Sequence, residues 1–249
     1  MADRQQEKQR RHSIVIWGAG KIGRGFIADI FQAASYHIVL IDQSVELVNA
    51  LLEAGRYTVV RAQGPEQRQD VLIENFRALS TSETEEVKAA IAACDLIALA
   101  VFPEHFPQVA PQLAPAVIAR WKARPTVPLK VLLCTNMPHA GPHFRADLQA
   151  ALPADSWSLL VDLLGIVETL VIRIATNAPP EESERDALLV WTNGYPHLIV
   201  DQRAFAGSRP VIAGLHWIED MRAEEQRKLF TYNLYQAALA YHGTLRDQA

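Results

Sequence analysis

Three glycines and one aspartate carry the clearest chemistry in this chain. Gly18-Ala19-Gly20-Lys21-Ile22-Gly23 has G-x-G-x-x-G spacing, follows the β-branched run Ser13 to Trp17, and opens a stretch with apolar residues at helical spacing, Ile22 to Ser35. In that setting Gly18 permits a tight turn, Gly20 lets the backbone approach a pyrophosphate, and Gly23 lets a helix pack close to a strand. The helix start turns its free N–H groups toward the anion, which makes Gly18, Ala19, Gly20, Ile22 and Gly23 candidate cofactor-binding residues. Asp42 stands 19 residues beyond Gly23, at the end of the apolar run His37 to Ile41. A carboxylate there accepts hydrogen bonds from both ribose hydroxyls and repels a 2′-phosphate, so NAD(H) is expected rather than NADP(H). Ala100-Val101-Phe102-Pro103 reads in two ways, as a wall of the dinucleotide crevice or as a plain strand-to-helix turn with Pro near its start.

A second group lies near the other end of the chain. At about 100° per residue, Asn233 falls roughly 140° and Gln236 roughly 80° round a helix from Lys228, with Glu225 at roughly 60° between them, so the four share one side. Spacing alone assigns such a face to solvent. His139 and His143 stand four apart like a metal pair, but Gly141 and Pro142 between them argue against a helix there and no third ligand is near. No metal is expected. Trp121, Trp157, Trp191 and Trp217 read as core or interface residues rather than stacking platforms.

The elements that must position these groups alternate. Strands are expected at Ser13 to Trp17, His37 to Ile41, Tyr57 to Arg61, Asp95 to Val101 and Leu129 to Cys134. Helices are expected over Ile22 to Ser35, Val45 to Ala54, Glu83 to Ala93 and Phe106 to Arg124. Continuous apolar runs between helices predict an α/β, Rossmann-type, doubly wound and mostly parallel sheet. Further strands at Ile166 to Ala175, Leu188 to Trp191 and His197 to Val200 are expected to extend it. Gly207 to Gly214 marks a boundary by its Gly, Ser and Pro content. The expected division is a polar tail at 1–12, a dinucleotide-binding domain at 13–207, and the start of an all-helical domain at 208–249, helical from Trp217.

Composition bounds the role. With 49% hydrophobic residues the 249-residue chain can build a large core, and a formal net charge of −4 gives no basic field for nucleic acid. Cys94 and Cys134 sit in or beside apolar runs, as buried thiols of a reducing compartment do. The apolar runs are too short to span a bilayer, and Met1 to His12 has no apolar signal region. A cytoplasmic protein that binds neither nucleic acid nor membrane is expected.

The sequence resembles the polyol-specific long-chain dehydrogenases, the family of mannitol 2-dehydrogenases, mannitol-1-phosphate 5-dehydrogenases and hexuronate reductases. The resemblance rests on GAGKIGRGFIADI from Gly18, on Cys134-Thr135-Asn136-Met137, on Trp191 through Phe205, and on RKLFTYN from Arg227 with Ala238 to Tyr241 and Gly243. It implies metal-independent hydride transfer between NAD(H) and a polyol or ketose, for example mannitol 1-phosphate and fructose 6-phosphate. Lys228 matches the family's general acid/base, Asn136 and Asn233 match the asparagines that hold the reacting oxygen, and Glu225 matches a glutamate that relays protons. Gln236 replaces the family's His; it can donate a hydrogen bond but does not titrate near neutrality. Ile172 stands where an aspartate is common, and Thr135 where an acid is. The family continues through a larger helical domain. The short form is therefore expected to leave Lys228 solvated with an ordinary pKa and the face of Leu229, Phe230, Leu234 and Leu239 open to a second copy or a partner chain. An NAD-binding but catalytically impaired homologue, or a fragment acting through a partner, is the alternative reading.

If Asp42 reads the ribose, Asp42→Ala relaxes the preference for NADH over NADPH, measured as the ratio of their dissociation constants. An unchanged ratio would remove Asp42 from the cofactor site.

Overall fold

The protein is described by a computed structural model covering residues 12–64 and 67–247. Apart from His12, the expected tail lies outside the described residues. The first strands are β1 (Ser13–Trp17), β2 (His37–Asp42), β3 (Arg56–Gly64), β4 (Gln67–Glu74), β5 (Phe76–Ser80) and β6 (Leu96–Leu99). They are followed by β7 (Leu129–Leu133), β8 (Leu164–Leu170), β9 (Ala175–Thr176), β10 (Val190–Thr192), β11 (Leu198–Asp201) and β12 (Leu215–Ile218).

Eight of these form one sheet in the order β12-β11-β8-β7-β6-β1-β2-β5. The six strands from β8 to β5 are parallel, β11 runs antiparallel to β8, and β12 is parallel to β11. The chain winds outward from β1 in both directions, so a crevice opens at the carboxyl ends of β1 and β6, the place where doubly wound sheets take their ligands. Continuous apolar runs make this possible: Ile14, Val15 and Ile16 are all fully buried, because helices cover both faces. One core forms under the helix after the Gly turn and the other under helices Thr84–Ala93, Phe106–Ala123 and Ala140–Ala151.

Several expected elements take other places. Tyr57 to Arg61, expected as the third strand of the sheet, lies in β3 and joins a second, four-stranded sheet, β4-β3-β10-β9. The third parallel position belongs to β5, whose short polar-interrupted sequence FRALS gives little signal. β3 pairs antiparallel with β4, and this hairpin packs on the Gly-turn helix: the Tyr57 hydroxyl donates to the Arg24 carbonyl (3.1 Å) and Gln32 Nε2 to the Leu72 carbonyl (2.6 Å). β10, expected to extend the main sheet, lies beside β3 instead. The run Ile166 to Ala175 stops being a strand after Leu170, since the next residues leave the sheet and send Arg173 inward. Gly207 to Gly214 connects β11 to its neighbour β12, so it is a crossover within the sheet and Trp217 is in a strand, not a helix. The chain leaves the sheet only after Ile218, later than the expected boundary at 207/208. Helix Met221–Lys228 then continues through a π turn, Leu229–Asn233, into helix Leu234–Asp247.

One buried ionic cluster ties the two sheets together. Asp29, on the Gly-turn helix, accepts from Arg61 Nε (2.9 Å) on β3 and pairs with Arg173. Arg173 also donates to the carbonyls of Tyr195 (2.7 Å) and Gly25 (3.0 Å) and lies 4.4 Å from the Phe26 ring centre. Burial lowers the pKa of its guanidinium and the Asp29 partner opposes that shift. Removing one member strands a buried charge. Asp29→Ala is therefore expected to cost about 3–5 kcal/mol in denaturant unfolding, and Asp29→Leu combined with Arg173→Met should cost less than the sum of the two single changes. Additive losses would mean the pair is not coupled.

Candidate active site

The Gly turn is held from both sides. Gly18 adopts φ +98°, and a Cβ there would lie 2.4 Å from the Ala100 carbonyl oxygen, so only glycine allows β1 and β6 to end this close together. Gly18 N–H donates to the Ile41 carbonyl (2.8 Å), and Ala100 N–H to the Trp17 carbonyl (2.7 Å). Asp42, the last residue of β2, accepts the Ala19 N–H at 2.7 Å on one oxygen and the Ser44 N–H at 3.0 Å on the other. Each carboxylate oxygen keeps lone-pair capacity for another donor. A Cβ on Gly20 would meet nothing within 4 Å. That open space above the helix start is the cradle a pyrophosphate needs.

A cavity of about 760 Å³ runs from this turn to the last helix. Gly20, Lys21 and Ile22 form one end, Ala100 to Pro103 a side wall, and Thr135, Asn136, Lys228, Asn233 and Gln236 the far end. Of the two sequence readings of Ala100-Val101-Phe102-Pro103, the cavity-wall position is thus the one it occupies. It also forms the turn into the helical segment that begins at Pro103. Gly18, Ala19 and Gly23 lie buried behind the cavity surface and Asp42 to one side, outside its lining.

At the far end Lys228 Nζ donates to Asn136 Oδ1 at 2.7 Å, across 92 residues of sequence. Lys228 is half-buried, and desolvation lowers its pKa against the opposing pull of Glu225. This corrects the expectation of a solvated lysine with an ordinary pKa: the floor of the cavity and the residues around Asn136 cover its stem even with the helix otherwise exposed. Glu225 lines a neighbouring cavity of about 430 Å³ that shares Asn136, Lys228 and Asn233. Its carboxylate accepts the His139 N–H at 3.4 Å, and burial, with Glu168 adding repulsion, raises its pKa. The structure therefore brings Lys228, Asn136, Asn233 and Gln236 to one cavity with Gly20, Ile22, Ala100 and Val101, and sets Glu225 directly behind.

Sequence reasoning missed part of the wall. Asn193, Tyr195 and Tyr232 also line the cavity, as does Lys21, whose Nζ donates to Asn177 Oδ1 at 2.6 Å. Lys21 sits at a variable position of the glycine motif, and the tyrosines carry no spacing signal. Ile172, next to Arg173, is buried and gives this side an apolar surface. The buried thiols of Cys94 and Cys134 are pushed up to about 12, which leaves them protonated and unreactive near neutrality. Among the described residues no group of three or more His, Cys, Asp or Glu could hold a metal ion, and no helix is long and apolar enough to cross a membrane.

This sheet order, glycine turn and crevice define a dinucleotide-binding domain. The chain belongs to the family of the mannitol dehydrogenase Rossmann domain, which matches residues 12–214. A mannitol-1-phosphate 5-dehydrogenase of Halalkalibacterium halodurans is 32% identical over 228 residues, covering 91% of this chain and 58% of its own length. One of Phaeosphaeria nodorum is 30% identical over 232 residues, covering 92% and 57%. The chain thus spans well under two thirds of these relatives. An octopine dehydrogenase solved with NADH and agmatine superposes with a TM-score of 0.57 at 10% identity, over 84% of this chain and 49% of that one. Apo yersinopine dehydrogenase gives 0.53 at 15% identity, over 80% and 42%. These two likenesses are of fold.

The local electrostatics are testable without turnover. The Lys228 amine should titrate below free lysine in side-chain NMR, and Glu225→Gln should lower it further, because the lost carboxylate no longer favours the ammonium form. A rise in the variant would contradict this geometry.

Proposed function

We propose that this chain is the cofactor-binding and proton-transferring part of an NAD-dependent oxidoreductase that interconverts a polyol, or a polyol phosphate such as mannitol 1-phosphate, with the corresponding ketose. The observation that carries the reading is a single cavity with the glycine turn at one end and the Lys228–Asn136 pair, 2.7 Å apart, at the other. The residues fit the cofactor: the space over Gly20 takes the pyrophosphate and the Asp42 carboxylate takes ribose hydroxyls. Bound there, NAD(H) supplies the hydride donor or acceptor.

The chain's own groups do the rest. Lys228 exchanges the proton of the reacting hydroxyl, and its lowered pKa makes the neutral amine accessible as a base. Asn136 and Asn233 donate to the substrate oxygen and stabilise the charge that develops on it. Asn136 does this through its amide nitrogen, since its Oδ1 is held by Lys228. Gln236, at the position of the family's His, positions the oxygen without exchanging protons. Glu225, raised in pKa and on the opposite side of Lys228, passes protons between the amine and the second cavity. Proton release is thereby separated from the hydride path.

A non-catalytic reading is favoured by one observation. Phe230, Leu234 and Tyr235 are all more than 60% exposed, a face suited to a second copy or a partner chain. On that reading the chain binds NAD(H) and acts only in a complex.

Lys228→Ala separates the two. On the enzyme reading it lowers NADH oxidation, assayed against ketoses and ketose phosphates, by roughly 10²–10⁴-fold with NADH affinity little changed. Oxidation of the polyol falls as pH drops through the lowered Lys228 pKa, because the ammonium cannot accept a proton, and reduction of the ketose shows the opposite limb. Turnover unaffected by Lys228→Ala would sink the assignment.

A further inference from the structure

A second large cavity, of about 630 Å³, lies at the opposite end of the sheet from the crevice, beside the first residues of β6 and β7. Its volume is in the range of small-molecule sites. The loop between β11 and β12 supplies Arg209, Val211 and Ile212. Phe205 and Lys130 form the inner wall, and Asp95 and Arg124 the far side.

The charges here are unevenly matched. Asp95 accepts the Ser13 N–H at 3.0 Å and pairs with Arg124 at 3.5 Å and His12 at 3.3 Å. Arg124 also donates to the carbonyls of Ala93 and Cys94. These groups largely satisfy one another. Lys130 and Arg209 make no ion pair among the described residues, although the Asp95 charge acts on Lys130. Among the described residues, Lys130 Nζ has no hydrogen-bond or ion-pair partner; it lies 5.5 Å from the Phe205 ring centre. Arg209 donates only to a neutral amide, that of Gln202, and lies over the Trp217 ring. Burial and the nearby Arg120 and Arg124 lower the pKa of the half-buried Lys130 ammonium, and Asp95 opposes that shift without pairing with it. An anion entering the cavity relieves this while an apolar group on the same molecule covers Phe205 and the exposed Val211.

We propose that this cavity is a binding site for a small organic phosphate, with the phosphate held by Lys130 and Arg209 and its apolar part against Phe205 and Val211. The site stands apart from the hydride-transfer crevice and does not depend on which polyol, if any, reacts there. Its phosphate is bound by side-chain charge, whereas the crevice cradles pyrophosphate with backbone N–H groups.

Phenyl phosphate is the probe, titrated calorimetrically into the full chain with NADH at saturation so that the crevice is closed to it. Binding is expected, weakened about tenfold or more in Lys130→Met/Arg209→Gln, with the variant melting at or above the temperature of the unaltered chain and NADH affinity unchanged. Phenol and benzoate are run alongside, and both should bind much more weakly. Four results would each overturn the proposal: no binding with NADH present, equal affinity in the variant, phenol binding as tightly, which would leave a merely apolar cavity, or benzoate binding as tightly, which would leave no selection for phosphate. Should the double variant not fold, protection of Lys130 from acetic anhydride labelling in the unaltered chain decides the matter, and an unprotected Lys130 refutes it.

Discussion

The crevice depends on one close backbone approach. A Cβ on Gly23 would lie 2.0 Å from the Gly18 carbonyl oxygen, so the helix after the turn can begin directly over β1 only because both positions lack side chains. That approach sets the height of the helix above the sheet, and the Asp42–Ala19 hydrogen bond then fixes the turn to the end of β2. Arg24, one residue on, is buried and returns its guanidinium to the Ala19 carbonyl at 2.7 Å and to Leu188 at 2.7 Å. The turn is thus braced by its own helix before any ligand arrives.

The same helix carries the constraint toward the Lys228 end of the cavity. Asp29 lies one and a half turns beyond Gly23 and holds Arg173, and Arg173 holds the Tyr195 carbonyl. The backbone from Val171 to Ile174 therefore follows the cofactor helix, although it belongs to no regular element. Two walls of the cavity are thus linked by buried charges whose separation is costly. A third contact, Lys21 to Asn177, closes the outer edge of the same frame. Rigidity here comes from the second sheet, whose β3 supplies Arg61.

Reading the sequence recovered the parts of this arrangement that are local. β1, the Gly turn, β2 ending at Asp42 and helix Val45–Ala54 fall where their patterns put them, because strand, turn and helix signals there are consecutive and agree. The second sheet was not legible. β3 and β10 carry the same β-branched signature as the core strands, and nothing in a run such as Tyr57 to Arg61 states which sheet it will join. β5 was hidden by Arg77, and β12 by its proximity to the helical stretch. The Lys228–Asn136 pair was singled out only through family resemblance: the two are 92 residues apart, and spacing on one helix cannot show that a loop after β7 meets it.

The lysine's environment shows what this much of the chain can do by itself. A lysine on an open helix would keep its solvation and its ordinary pKa, yet Lys228 is half-buried because Thr135 and Asn136, just past β7, meet the helix at the residue directly before its π segment. The π turn, Leu229–Asn233, widens the helix between Lys228 and Asn233, both of which line the same cavity. Beyond it the helix leaves the body of the protein, and Leu234, Tyr235 and Leu239 find no cover. The Lys228–Asn136 pair is therefore assembled against the end of β7, whereas the outer face of the helix stays uncovered. Desolvation already lowers the amine's pKa, and any surface that later seats on the exposed helix face would strengthen that effect, since excluding water further penalises the charged form.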